Sequence, residues 1–212
     1  MEVRPIQKWE IEPWLLFKHY AKRMPSISYA FGLYENKCLI GVCCFGLGGN
    51  TGNNMIGGYN TLELQRLCVN DDAPKNSSSF LVGNALKMLP SPMIIVSYAD
   101  QNVGHVGYIY QATNWIYTGL SGTDHEFLKD GRTYHRKGLF DRYGTGSVSF
   151  LEKKGFVPIK QEPKHRYFYL IGNRREKRKM MAVLPHERLP YPKGDTRRYD
   201  ASFNVQTQSV MF

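Results

Sequence analysis

The chain has 212 residues, 42% hydrophobic and 13% aromatic, with a net charge of +10 at pH 7. That composition excludes a disordered chain and suffices for one domain with a core, or one domain plus a tail. No apolar run is long enough to cross a bilayer and no apolar segment with a cleavage site follows the N-terminus, so a cytoplasmic protein with no membrane partner is expected.

Glu10 to Arg23 carries Trp14, Leu15, Phe17, Lys18 and Tyr20 in an amphipathic pattern, with Pro13 in the first turn and Pro25 beyond the end; a helix is expected. Ser28–Tyr34 and Cys38–Phe45 are apolar, β-rich runs joined by Glu35-Asn36-Lys37, the pattern of a hairpin. The four cysteines (Cys38, Cys43, Cys44, Cys68) form no CxxC pair and read as buried free thiols rather than zinc ligands. Gly46–Gly58 is rich in Gly and Asn but lacks a GK[ST] ending, so it reads as a flexible loop over an active site or against DNA, not as a nucleotide cradle.

Leu62 to Val69 alternates as a strand, with Leu62, Leu64 and Arg66 on one face and Glu63, Gln65 and Leu67 on the other. A polar loop follows, then a helix through Phe80 and Leu89 that Asn76 or Ser77 could cap. Met93–Ser97 is a buried strand closing on Tyr98-Ala99-Asp100. Strand, helix, strand prefers a right-handed parallel crossover, and ligands of such sheets sit at the strands' carboxyl ends, here Val69–Ser79 and Tyr98–His105.

Asn102–Trp115 predicts a short helix and Trp115–Thr118 a strand. Residues 119–146 read as an irregular polar insertion. Ser147–Lys154 predicts a helix ended by Gly155, and Phe156–Ile159 with His165–Ile171 a final hairpin. Arg174–Met181 is basic and open to a helix, and a proline-containing tail follows. The expected division is a domain at 1–172 and a basic extension at 173–212. Lys160 to Arg198 holds twelve Lys and Arg against four acids, most of the net charge, interleaved with Tyr167, Phe168, Tyr169, Tyr191 and Tyr199. Cations for phosphates and aromatics for bases point to a nucleic-acid partner; a solvated face is the plainer alternative.

This element order is a mixed α/β sheet flanked by helices, and it resembles the GNAT acyltransferase superfamily. The resemblance implies an acyl-CoA between the two central strands where they part, its pyrophosphate at the crossover helix N-terminus. In this chain those positions are Arg66, Leu67 and Val69 on the strand and Lys75, Asn76, Ser77, Ser78 and Ser79 before the helix. The superfamily's (R/Q)xxGxG/A loop is absent, and PKNSSS stands in its place.

The strings ELQRLCV, APKNSSSFL, VSYAD, GHVGYIYQATNWIYTG, HRKGLFDRYGT and RYFYLIG, spread over 62–172, resemble the phage Mom family of DNA modification proteins. That resemblance implies a transferase that adds a carbamoylmethyl group to the exocyclic amine of adenine in double-stranded DNA, shielding it from host restriction, with acetyl-CoA or a related donor. It makes Asp100 a candidate base and Tyr110, with Tyr108 second, a candidate general acid. Asp100 with His105 could hold an iron. Gln111 and Asn114 could read the adenine edge, and Trp115, Tyr117 and Tyr143 could stack on a flipped base. His135, Arg136, Arg142, Arg174 and Arg175 could meet DNA. The plainer readings are a helix cap for Asp100, a surface His105, core aromatics at Tyr108 and Tyr110, and solvated loops for the rest. Two other functions stay open: a conventional N-acetyltransferase for a protein or small amine, and a non-enzymatic DNA-binding protein. A homodimer is one option for its assembly.

Overall fold

The computed structural model describes residues 1–48 and 55–194. β1 (Glu2–Pro5) leads into α1 (Lys8–Pro13), where the Glu10 carboxylate accepts from the Gln7 N–H at 2.7 Å. Pro13 has no N–H to return to the preceding turn, and Trp14–Lys18 widens into a π turn, closed by the His19 N–H on the Trp14 carbonyl at 2.9 Å. Helical structure therefore stops at Lys18, short of the expected Arg23.

β2 (Tyr29–Glu35) and β3 (Cys38–Gly46) form the expected hairpin. Cys43, Cys44 and Cys68 are buried free thiols, whereas Cys38, at the strand's first position, is exposed. β4 (Met55–Ile56) turns into β5 (Tyr59–Val69) through Gly57 and Gly58, whose φ of +53° and +84° suit a two-residue hairpin turn. Residues 49–54 of the predicted loop lie outside the described residues. α2 (Ser77–Met88) then crosses to β6 (Met93–Ala99), parallel to β5 as expected. The single helix predicted over Asn102–Trp115 is instead a 3₁₀ turn (Gln101–Val103) and α3 (Tyr108–Ala112), separated where Gly104 and Gly107 take φ of +74° and +86°. β7 (Ile116–Leu120) follows.

The insertion is ordered, contrary to expectation. β8 (His125–Lys129), β9 (Arg132–His135), α4 (Arg136–Tyr143), α5 (Val148–Lys153) and β10 (Val157–Lys160) form a small layer of their own. Its sheet runs β10-β8-β9 over a core of Phe127, Leu139, Leu151 and Phe156. Few apolar residues spaced far apart build that core, which hides the pattern in sequence. The final hairpin is also corrected. β10 belongs to the insertion, pairing with β8, while β11 (His165–Ile171) runs between β6 and β7. α6 (Arg174–Val183) comes next, opened by Asn173, whose side chain accepts from the Arg175 and Glu176 N–H groups at 2.9 and 3.0 Å.

The main sheet runs β1-β2-β3-β5-β6-β11-β7, with β4 added on β5. On one face Leu81, Val82, Ala85 and Leu86 of α2 pack with Phe31, Phe45, Leu62, Leu64, Ile95 and Tyr167. The other face has two covers. Ile11, Trp14 and Leu15 lie over Val42, Cys44 and Cys68; Met180 of α6 lies over Ile94, Val96, Phe168 and Leu170. Met180 is 0% exposed, so Met180→Ala should cost about 2–5 kcal/mol through lost burial and the void left behind, read as a lower urea midpoint at unchanged slope.

Candidate active site

β5 and β6 pair only from Thr61–Glu63 to Ile94–Val96. Beyond that point β5 bonds on toward Val69 with β3 alone, and β6 toward Ala99 with β11 alone. The two parallel strands part. At the fork the Ser97 hydroxyl donates to the Leu64 carbonyl at 2.8 Å, replacing the lost backbone rung. The Tyr110 oxygen is the second acceptor of the Ser97 hydroxyl, also at 2.8 Å, so the one Ser97 hydrogen is shared between the Leu64 carbonyl and the phenol oxygen. Trp115 and Tyr167 hold the Tyr110 ring at centroid distances of 5.1 and 5.0 Å. Burial drives the phenol well above its ordinary range and the Ser97 bond only partly offsets this, so Tyr110 is neutral and a proton donor.

β5 carries a bulge at the same level. Cys44 pairs with Arg66 and Phe45 with Leu64, leaving Gln65 as the extra residue. The alternation therefore breaks: Leu67 packs in the same core as Leu62 and Leu64. Arg66 sits opposite Cys44 and so joins Glu63 on the other face, which corrects the expectation that it shares a face with Leu62 and Leu64. Its Nη1 donates to the Gln65 carbonyl at 2.7 Å, while its buried Nε has no partner among the described residues.

Around Glu63 and Arg66 a charged groove collects side chains distant in sequence. Burial raises the Glu63 carboxyl, with Arg66, Lys164 and Arg23 pulling it back. His19 falls to about 3 through burial, then Arg66, His105 and Arg23. Tyr20 rises to about 12 through burial and Asp100, and its ring meets His105 edge-on at 6.3 Å. Sequence reasoning missed His19, Tyr20, Arg23, Glu63 and Lys164. The one available signal was the polar His19-Tyr20 pair closing an amphipathic stretch.

Asp100 is buried and caps the 3₁₀ turn, accepting from the Asn102 N–H at 3.0 Å and pairing with Lys164 Nζ at 2.7 Å. Burial alone would raise its carboxyl, but Lys164 and Asn102 outweigh that and hold it below its usual 3.8. It is a structural anion first and a weak base. His105 is half-buried, its imidazole lowered by burial against the pull of Asp100. An iron site at Asp100 and His105 is not supported: Asp100 is already occupied by Lys164 and Asn102, and no three His, Cys, Asp or Glu among the described residues gather to hold a metal.

At the crossover helix, Asn76 takes φ +69° and makes no side-chain cap. Ser77 is buried, donating to the Pro74 carbonyl at 2.6 Å, and the Ser79 hydroxyl turns back to the Asn76 carbonyl at 3.0 Å. The Ser78 and Ser79 N–H groups thus open the helix without a protein partner among the described residues, beside an exposed Lys75. Leu67 and Val69 line the α2 side of β5.

The remaining candidates scatter. Tyr108 is exposed and its hydroxyl donates to the Gly194 carbonyl, away from the fork. Gln111 Nε2 reaches the Tyr167 hydroxyl and the Pro192 carbonyl, each at 3.3 Å, and Asn114 is an exposed turn residue at φ +60°. Trp115, 1% exposed, and Tyr117, bonded to His165 Nδ1 at 2.9 Å, are core residues whose faces no base can reach without unfolding, a correction to their stacking role. Tyr143 packs on Phe156 in the insertion, with the exposed Arg142 over its ring at 5.3 Å. Arg136 pairs with Asp124 at 3.2 Å. His135 caps α4 and stands at the groove, 3.3 Å from Arg23. Arg174 and Arg175 are exposed on α6.

A mixed sheet whose central parallel strands part beside a buried tyrosine hydroxyl, with a crossover helix opening next to them, is the arrangement that the GNAT resemblance implies. The chain belongs to the Mom protein family, whose model matches residues 1–193, and it is a transferase. It is 30% identical over 207 residues to the methylcarbamoylase Mom of Escherichia phage Mu, covering 91% of this chain and 84% of that protein. Among solved structures, a Bacillus subtilis acetyltransferase in complex with CoA matches at TM-score 0.41 and 12% identity, covering 80% of this chain and 98% of that one. YncA, a putative acetyltransferase from Salmonella typhimurium with acetyl-CoA, matches at 0.46 and 10%, with coverages of 80% and 93%. An N-acetyltransferase from Staphylococcus aureus Mu50 matches at 0.45 and 14%, with 80% and 97%.

The Asp100 ion pair sets a pH test. A carboxyl held below its ordinary 3.8 contributes stability above that value and loses it as pH falls through the folded value. Lys164→Met should therefore lower the melting temperature at pH 7, and the gap from the parent should close as pH falls toward 2. A gap constant across that range would show that Lys164 acts through packing alone.

Proposed function

We propose that this protein adds a Mom-type carbamoylmethyl group to the exocyclic amine of adenine in double-stranded DNA. Family membership supports the substrate class; the Tyr110 hydroxyl at the strand fork, with the half-buried Glu63 in its field from the other face of the sheet, supports the chemistry. The amine loses a proton as its new bond forms. Glu63, raised by burial, is a stronger base than an ordinary carboxylate and faces the groove. The leaving group needs a proton in return, and the neutral Tyr110 can give it while Ser97 holds its hydroxyl in line.

An acyl-CoA donor would supply a two-carbon unit as a thioester, with the CoA thiol as leaving group, and the carbamoyl nitrogen of the product would have to come from a second donor of the amine class. The residues present fit such a group: the open Ser78 and Ser79 N–H groups and Lys75 would meet its phosphates, and the fork between β5 and β6 would take its reactive arm. The target amine is paired within duplex DNA, so the base must leave the stack to reach a hydroxyl buried as Tyr110 is. Arg174, Arg175, Lys177, Arg178 and Lys179, exposed on α6, would hold the backbone meanwhile. α6 lies on the same face of the sheet as Glu63 and Arg66. No helix among the described residues is long and apolar enough to cross a membrane, and the working compartment would be the host cytoplasm, where the modification would screen DNA from restriction.

Mass spectrometry of nucleosides from cells expressing the protein should show an adenosine species one carbamoylmethyl group heavier. Tyr110→Phe keeps the ring packing and should lower its yield by about 100-fold or more. An unmodified nucleoside profile from folded parent protein would overturn the reading, and a Tyr110→Phe variant at parental yield would remove Tyr110 from the chemistry.

A further inference from the structure

The contact between Arg23 and His135 cannot be satisfied as it stands. The Lys137 backbone N–H points at His135 Nδ1 from 3.1 Å, and Arg23 Nη2 points at His135 Nε2 from 3.3 Å. Both groups are donors. Burial first, then Arg23, brings His135 down to about 4, so its ring is neutral at pH 7 and has one acceptor nitrogen for two donors. With Nδ1 taken by the backbone, Nε2 carries a hydrogen and faces a guanidinium. Arg66 lowers Arg23 and His135 alike, which puts the three within one another's field.

The acids nearby do not resolve this. Asp124 is paired with Arg136 at 3.2 Å, Asp100 with Lys164 at 2.7 Å, and Glu63 and Glu126 act on Arg23 only at a distance, with no ion pair to it. Two donors facing each other at Arg23 and His135, with no acceptor between them among the described residues, are costly unless an acceptor arrives from outside. Arg23 is exposed, so the way in is open.

We propose that Arg23 and His135 form a binding site for an oxyanion, a phosphate or a carboxylate, where the insertion meets the chain that follows the first helix. The anion would accept from the Arg23 fork and from His135 Nε2–H, and would join two layers that otherwise meet there donor to donor. Two sources share this chemistry: a phosphodiester of the bound nucleic acid, or a carboxylate on a small co-substrate. The site stands on its own geometry and holds whether or not adenine is the target.

Calorimetric titration of the full chain with inorganic phosphate, and separately with acetate, tests it without any transfer reaction. Saturable phosphate binding is expected, weakened about tenfold or more in Arg23→Gln and restored in part by Arg23→Lys. His135→Asn, which can keep the cap on the Lys137 N–H while removing the Nε2 donor, should weaken it less, and His135→Phe, which also removes the cap, serves as a second variant once its fold is verified. Competition by an adenine-containing oligonucleotide but not by acetate would assign the site to the phosphodiester; the reverse would assign it to a carboxylate. Absence of saturable binding to either anion in folded parent protein, or binding unchanged in both Arg23→Gln and His135→Asn, would overturn the proposal.

Discussion

Everything at the candidate site depends on three residues of parallel pairing that then stop. Two parallel strands held over their full length would seal the sheet with backbone hydrogen bonds and leave nowhere for a ligand. Here the ladder ends at Glu63 and Val96, and the backbone groups beyond it need other partners. Ser97 answers for the Leu64 carbonyl with its side chain, and the same hydroxyl reaches the Tyr110 oxygen and orients it. The bulge at Gln65 lies on the same strand one residue later and turns Arg66 toward Glu63. One local failure of sheet geometry therefore fixes an acid, a base and a cation around one gap.

Burial then sets the charge states that geometry alone leaves open. The groove gathers Arg23, Arg66 and Lys164 against Glu63 and Asp100, and the histidines that enter it are held neutral, His19 at about 3 and His135 at about 4. A neutral imidazole among guanidinium groups avoids like-charge repulsion at the cost of an acceptor shortage. Asp100 is already spent on Lys164, which leaves Glu63 as the carboxylate with unclaimed basicity. The division resembles that of paired carboxylates whose environments push them apart, one ionised and structural, the other raised and reactive.

How much of this the sequence made legible follows from the range of each signal. The β2–β3 hairpin and the β5–α2–β6 crossover were readable because their apolar periodicity is local and strong. The insertion was not, since its core rests on four side chains separated by polar surface, Phe127, Leu139, Leu151 and Phe156. Val157–Lys160 followed by His165–Ile171 has the look of a hairpin in sequence, but the two strands belong to different sheets, a choice made by tertiary packing. At the site, Tyr110 stood out because it lies in an unusual string. Glu63 and Arg66 did not resolve correctly because a bulge is invisible to a period-two count. His19, Tyr20, Arg23 and Lys164 reach the groove from both ends of the chain, and no window of sequence contains them together. Trp115 and Tyr117 show the opposite error, aromatics that look available but fill the core.

The chain beyond α6 completes the argument, because α3 cannot hold Tyr110 in place unaided. A helix of five residues, entered through a left-handed Gly107 and left through a left-handed Asn114, has little intrinsic stability. It is clamped from outside instead. Tyr108 donates to the Gly194 carbonyl, Gln111 to the Pro192 carbonyl, and Tyr191 to the Trp115 carbonyl at 2.6 Å. The Leu189 N–H bonds the Tyr117 carbonyl at 2.9 Å, adding a rung at the edge strand β7. From within, the Tyr167 hydroxyl donates to the Val106 carbonyl at 2.5 Å while its ring lies against Tyr110. Tyr108 and Gln111, expected at the chemistry, thus act one step away from it: they tie a short helix to the C-terminal segment so that the hydroxyl between them stays on Ser97. That arrangement explains why a string rich in aromatics and amides surrounds Tyr110.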